Sequence, residues 1–159
     1  MITVDRASQK VIMRLKSVDK LSRKGLEHAA YTSGVQLMKE TSKQILKKPK
    51  GGKTYIIRDS AGRRRRHVAS APGETHANMT GAARRSLGFH VSGHDLEFGY
   101  GVQSASPAPE YVGWLEFGTS KMAARPSLMN GIKSQERNIG KNIEKEIGKR
   151  LEGRGGLIR

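Results

Sequence analysis

Apolar positions along the first third of the chain recur at helical spacings. Val11, Ile12, Leu15 and Val18 suit a short amphipathic helix over residues 7–18, after an I-T-V-D opening that reads as a short strand. From Asp19 or Ser22, either of which can accept from free first-turn N–H groups, a longer helix is predicted to about Lys47. Leu26, Ala30, Gly34 or Val35, Leu37, Thr41 and Ile45 mark its apolar stripe. Pro49, Gly51 and Gly52 end it, because proline cannot donate and glycine lowers the cost of a turn.

The rhythm then changes. T-Y-I-I-R, Thr54 to Arg58, reads as a strand, D-S-A-G as a turn and R-R-R-R-H-V-A-S as a returning arm, which together predict an extended basic hairpin over residues 50–70. The loop from Ala71 leads to a short helical turn over residues 80–86, with Thr80 as a cap. Leu87, Phe89 and Val91 alternate with small or polar residues, as do Leu96, Phe98 and Tyr100 after a Ser-Gly-His turn, so a second hairpin with one apolar face is predicted. A Ser/Ala/Pro loop over 103–109 precedes Y-V-G-W-L-E-F-G-T-S-K-M-A-A-R-P-S-L, read as a short helix or turn that breaks at Gly118. Leu128, Ile132, Ile139, Ile143, Ile147 and Leu151 keep helical spacing to about Glu152, with Glu146 and Arg150 placed as an ion pair. Gly131, Gly140 and Gly148 each weaken that helix by about 1 kcal/mol relative to alanine, so packing must hold it. The tail at 153–159 is expected to fray or to dock on a partner.

Composition sharpens this outline. With 159 residues the chain suits a single domain, and with 35% hydrophobic and 5% aromatic residues its core is thin, so a partner that covers apolar surface would add stability. The net charge of +16 makes polyanions plausible neighbours, and half of it lies between Lys47 and Arg66, where nine Lys/Arg face only Asp59. There is no cysteine, hence no disulfide or thiolate chemistry. No run approaches eighteen apolar residues, and the start M-I-T-V-D-R lacks a signal peptide's apolar core, so the expectation is a soluble protein made in a cytoplasm, with no membrane partner.

Catalytic patterns are wanting. G-G-K-T at 51–54 resembles the end of a phosphate loop, but Lys47 stands where the pattern needs glycine and a strand follows instead of a helix. Ser104 occupies the third glycine position of a dinucleotide fingerprint begun at Gly99 and Gly101. His90 and His94 straddle a hairpin turn, and Glu110 and Glu116 have no histidine or second carboxylate tied to them by a known spacing. No enzyme, cofactor or metal site is therefore expected. Arg63, Arg64, Arg65 and Arg66 are the candidate contact residues, toward an acidic protein surface or toward nucleic-acid phosphates. No aromatic is interleaved among them for base stacking.

Three pieces stand in a suggestive order: R-R-R-R-H-V-A-S-A-P-G-E, T-G-A-A-R-R-S-L and Y-V-G-W-L-E-F-G-T-S-K-M-A-A-R-P-S-L. Together they resemble the minor tail-component family of long-tailed bacteriophages, the tail-completion or head–tail joining proteins of the neck. The resemblance covers Ser70 to Glu74, Thr80, Gly81, Ser86, Tyr111, Leu115 to Met122, Ala124 to Pro126 and Leu128, all in the second half of the chain. Ala82–Ala83 and Ser127 depart from it, the latter replacing a phenylalanine after Arg-Pro, and both departures are expected to reduce local packing.

The resemblance implies an α+β fold in which a small antiparallel sheet with a long basic hairpin packs against a long N-terminal-half helix and a C-terminal helix. It implies a structural virion protein, assembled in the host cytoplasm as a ring, a hexamer by the sixfold symmetry of tails. Its partners would be copies of itself, the head connector or stopper, the tail terminator and the tail tube, with DNA passing through the lumen. The alternative is a stand-alone basic nucleic-acid-binding protein. Within the motif, Tyr111, Trp114, Leu115 and Phe117 are expected to pin the link between sheet and last helix. Gly118 would permit a turn closed to other residues, with Thr119 beside it. Arg125 and Pro126 would start the helix, and Glu116 would accept from Arg125 or from backbone N–H groups.

Overall fold

The computed structural model describes residues 6–48 and 50–152; the I-T-V-D opening and the tail at 153–159 lie outside them. The fold is α+β, in the order α1 (Arg6–Leu46), β1 (Thr54–Arg58), β2 (Arg64–Val68), α2 (Ala82–Arg85), β3 (Leu87–Ser92), β4 (Asp95–Tyr100), α3 (Tyr111–Phe117) and α4 (Leu128–Glu152). The two helices expected on either side of Asp19 are one. No proline or glycine interrupts residues 15–24, and the Asp19 carboxylate, instead of capping a new helix, accepts from Arg23 Nε at 3.0 Å one turn on.

Two compact units are built from this chain. The first comprises residues up to Ser33, the Val91–Leu96 hairpin tip and the chain from Arg137 onward. Here α1 turns small residues inward: Gly25 and Ala29 are buried, whereas Leu26 and Ala30 are half-buried. Helix backbones meet closely at this point, since a Cβ on Gly25 would lie 3.3 Å from the Glu146 carbonyl oxygen and the Ile147 Cα. The expected Glu146–Arg150 pair gives way to other partners, Lys149 Nζ at 3.2 Å and His28 Nδ1 at 3.0 Å. The Lys149 hydrogen bond is the main reason why the Glu146 carboxyl lies below its ordinary range.

The second unit comprises Gly34–His90 and Glu97–Glu136. Leu37, Thr41 and Ile45 of α1 are buried at the four-residue spacing that the sequence predicts. Against them, α4 presents Gly131, where a Cβ would overlap the Thr41 hydroxyl, so this helix glycine is a place of close approach. Nothing comparable surrounds Gly140 or Gly148. The hairpins pair as β1–β2 and β3–β4, the second through a two-residue turn in which Gly93 takes a φ of 61°. The N-cap of α2 is Gly81, at φ 80°, and no side chain caps the helix; Thr80, expected as the cap, stands one residue earlier and accepts from Ala82 N–H at 3.3 Å in a local turn.

The β1–β2 ribbon is antiparallel, with Thr54 opposite Val68, Ile56 opposite Arg66 and Arg58 opposite Arg64. Neighbouring Tyr55 and Ile56 point to opposite faces, and both are exposed, so the outer ribbon is open to solvent on two sides. Its turn is organised by Asp59, which accepts from the Ala61 and Arg63 N–H groups and from the Nε of Arg63 and of Arg65. These bonds, led by the Arg63 backbone, hold the Asp59 carboxyl below its ordinary range.

Candidate functional site

The eighteen-residue motif around the single tryptophan folds as a short helix with two unlike faces. Residues three and four apart share a side of a helix, so Val112, Leu115 and Glu116 face one way and Tyr111, Trp114 and Phe117 the other. Val112 is buried and Leu115 half-buried. Trp114 is 57% exposed, Phe117 87% and Tyr111 38%. The expectation that these three aromatics pin the sheet to the last helix is therefore corrected: only Leu115 shares the inward face, and the lock is polar.

Glu116 forms that lock. Its Oε2 accepts from Ser127 N–H at 2.8 Å, from the Ser127 hydroxyl at 3.0 Å and from Leu128 N–H at 3.2 Å, and its Oε1 accepts from Met129 N–H at 3.0 Å. These backbone donors belong to the start of α4, where no intrahelical acceptor exists for them, and a carboxylate there also suits the helix dipole. Of the two partners foreseen for Glu116, backbone N–H groups are the ones it takes. The Ser127 carbonyl accepts from Gly131 N–H at 2.9 Å, the first turn of α4, just after Pro126.

Arg125 is engaged elsewhere. Its Nε donates to the Ser70 carbonyl at 2.9 Å, and its N–H to the Leu115 carbonyl at 2.7 Å. Gly118 ends α3 with φ 79° and ψ −179°, a conformation that belongs to glycine, and donates to the Trp114 carbonyl at 2.8 Å. Thr119 and Met122 then exchange backbone hydrogen bonds in a tight turn.

A second set of groups completes the site, and sequence reading missed it. Ser127, His76 and Tyr100 come together: the Tyr100 hydroxyl bonds Ser127 Oγ and lies 2.9 Å from His76 Nε2. Because the Glu116 carboxylate oxygens accept, Ser127 donates to Glu116, Tyr100 to Ser127 and His76 Nε2–H to Tyr100. Ser127 is 0% exposed and His76 is buried, and the hydrogen bonds that join them through Tyr100 and Glu116 make an internal polar strut. Ser127, expected to loosen packing, instead joins two parts of it. The only sequence signal was a serine just ahead of a predicted helix; His76 and Tyr100 carried none.

Burial is the main cause that lowers the His76 pKa below its ordinary 6.5 and raises that of Tyr100. The unfolded chain thus takes up a proton at His76 before the folded chain does. Stability should be full above about pH 6.5 and fall as the pH drops through that value toward the lowered folded one. Urea midpoints at pH 7.5 and 5.5 will show this loss, and His76→Gln should make the difference between the two midpoints smaller.

The S-A-P-G-E loop is tied down by its last residue. Glu74 Oε2 accepts from Gly51 N–H at 3.0 Å and Ala71 N–H at 2.9 Å, bonds of which the first does most to hold its carboxyl below the usual range. The Gly51 amide of the G-G-K-T segment is thus taken by a carboxylate of the chain's own. Lys50 is buried beneath, donating to the carbonyls of Gln44 at 3.0 Å and Thr75 at 2.9 Å; burial lowers its pKa. The loop joins the later motif through Gly73 N–H to the Ala124 carbonyl at 2.8 Å and through Ser70 to Arg125.

Arg63, Arg64, Arg65 and Arg66 all lie exposed on the ribbon, away from any buried strut. Arg63 and Arg65 reach back to Asp59, while Arg64 stands opposite Arg58, a like-charge pairing that weakens the ribbon tip. Among the described residues no group of three or more His, Asp or Glu side chains could hold a metal ion, and no helix is long and apolar enough to cross a membrane. Comparison of the chain with protein-family models, curated proteins and solved structures gave no match in any of the three.

Proposed function

We propose that the chain is a structural protein of a phage virion, a tail-completion or head–tail joining subunit that assembles with copies of itself as a ring at the neck. The observation that carries this reading is the row Tyr111, Trp114 and Phe117, held outward on a helix whose other side is fixed by Glu116 and Val112. Large exposed aromatics on a rigid element are what an assembly interface uses, because they bury much area at little entropic cost. The ribbon supports the same reading. A two-stranded hairpin open on both faces is marginal by itself, and an adjacent subunit or ring would cover it and offset the repulsion among its arginines.

The motif pieces that resemble the tail-completion family also belong together physically. Ser70 to Glu74, Leu115 to Met122 and Arg125–Pro126 form one hydrogen-bonded assembly, so the shared residues are those that shape this surface. Ring assembly asks for no nucleophile or cofactor. The neck's head-connector or stopper, tail-terminator and tail-tube proteins would be the neighbours, with DNA in the lumen.

The test is made in the phage that encodes the chain. Trp114→Ser with Phe117→Ser should leave the purified protein folded, with an unchanged circular dichroism spectrum, and should yield separate heads and tails by electron microscopy. Changing Arg63 through Arg66 to serine should act the same way if the ribbon meets protein; joined particles that fail to deliver DNA would place the ribbon in the lumen. Absence of the protein from purified virions, or normal infectivity of the aromatic variant, overturns the proposal.

A further inference from the structure

α1 carries Lys39 and Lys43 four residues apart, both exposed, and the exposed Lys47 follows just past its last residue, Leu46. Lys133, near the start of α4, lines the same open cavity of about 1030 Å³, and Lys48 and the buried Lys50 close its end. Its one acid is Glu40, which reaches Lys43 only at 3.8 Å. A second cavity, of about 470 Å³, shares Lys47, Lys48 and Lys50 with the first and continues to Arg66 and His67 at the foot of the ribbon. One basic path therefore runs from the middle of α1 to the hairpin.

Two ordinary explanations cover part of this. Cations near a helix C-terminus interact well with the dipole, which accounts for Lys43 and Lys47. Lys50 is used internally, on the carbonyls of Gln44 and Thr75. Neither explanation reaches Lys39, which lies ahead of the last turn of α1, or Lys133, which is on α4. Like charges four apart on a helix repel by about 0.2–0.5 kcal/mol per pair, so Lys39 and Lys43 work against the helix that bears them. Lys39, Lys47, Lys48 and Lys133 have no ion pair among the described residues.

The groove is also built to keep its shape. Gln44 Nε2 donates to Ser134 Oγ at 3.1 Å, Thr75 Oγ1 to Gln44 Oε1 at 3.4 Å and Asn130 Nδ2 to Thr75 Oγ1 at 3.2 Å, which ties α1, the 71–76 loop and α4 together along the floor. Ammonium groups set around a floor held in this way, with small polar residues between them, match a row of phosphate oxygens. No aromatic lines it, so bases have nothing to stack on, and Leu46 is the only large apolar side chain of the first cavity, too little for a protein hot spot.

We propose that this groove binds the phosphodiester backbone of duplex nucleic acid without regard to base sequence, with Lys39, Lys43, Lys47, Lys48 and Lys133 as the phosphate contacts. The proposal does not depend on ring assembly, because it concerns the single chain. Nor does it need the arginine tip, which lies beyond the groove.

Fluorescence anisotropy of a labelled 20-base-pair duplex with the purified full chain tests it, across a series of salt concentrations. Binding should weaken with salt at about 0.9 log units per phosphate contact. Lys39→Gln, Lys43→Gln and Lys133→Gln together should weaken binding at least tenfold and flatten that slope by about 3. Lys16→Gln, Lys20→Gln and Lys24→Gln, an equal change of charge on the earlier part of α1, should weaken it less than threefold. Circular dichroism will show whether each variant is folded, and Lys133→Gln alone, at an exposed position, serves if the triple variant is not. Equal losses in the two triple variants would mean diffuse attraction and overturn the site. Discrimination above tenfold between two unrelated duplexes, or equal competition by polyglutamate at matched charge, would also overturn it.

Discussion

Glu116→Ala should lower the unfolding free energy by about 3 kcal/mol, because it removes a helix cap and several charge-assisted hydrogen bonds in one step. The N–H groups of Ser127, Leu128 and Met129 and the Ser127 hydroxyl would all lose their acceptor. Ser127 is fully buried, so water cannot replace the carboxylate at its hydroxyl without opening the packing. A chain with a thin core has a total stability of order 5–15 kcal/mol, and such a loss is a large part of it. Urea unfolding will measure it. Glu116→Gln, whose amide oxygen can still face the three donors now on Oε2, should cost clearly less. A loss below about 1 kcal/mol for the alanine variant would mean that the cap is ornamental and that α4 is held by its apolar stripe.

Gly118→Ala should cost a similar amount, about 3 kcal/mol, for a different reason. At φ 79° and ψ −179° a side chain is strained whatever the space, and here there is none: a Cβ would stand 2.8 Å from the Met122 carbonyl oxygen and 2.9 Å from the Ala124 nitrogen. Either α3 would end differently or the Thr119–Met122 turn would move, and with it the Arg125 anchor on Ser70. Gly113 is the internal control. It lies within the same helix with open space around its Cα, so Gly113→Ala should stabilise by about 0.5–1 kcal/mol. Thermal unfolding of the two variants should move the melting temperature in opposite directions, and a downward shift in both would show that α3 tolerates no change of any kind.

The particular elements that could be read in advance share one property: their signals are local. Alternation pointed to the second hairpin, the T-Y-I-I-R run with its D-S-A-G turn to the first, and Gly118 to its own special backbone. The spacing of Leu37, Thr41 and Ile45 gave the buried stripe in the second half of α1. Where that stripe was misplaced, before Ser33, the residues described as buried are Gly25 and Ala29. Small residues carry little hydrophobic signal, and their value lies in letting the backbone of α4 come near, which is a property of a partner in space. The break foreseen at Asp19 failed for a related reason, since an aspartate can cap a helix or pair along one, and only the Arg23 partner decides.

By itself, then, the sequence determined the α+β class, the order of most elements and the exposed basic ribbon, because periodicity, turn residues and charge act over a few neighbouring positions. Tertiary structure alone decided which face of the aromatic stretch is the lock and which is the open surface. The outward side of a seven-residue helix depends on where its cap lands, and Glu116 lands on α4. It also decided that His76, Tyr100 and Ser127, 24 and 27 residues apart along the chain, form one buried strut. Lysines on two separate helices likewise became one groove. Hydrogen-bond partners and like charges distant in sequence leave no periodic trace, since what selects them is the distance at which the folded backbone sets them.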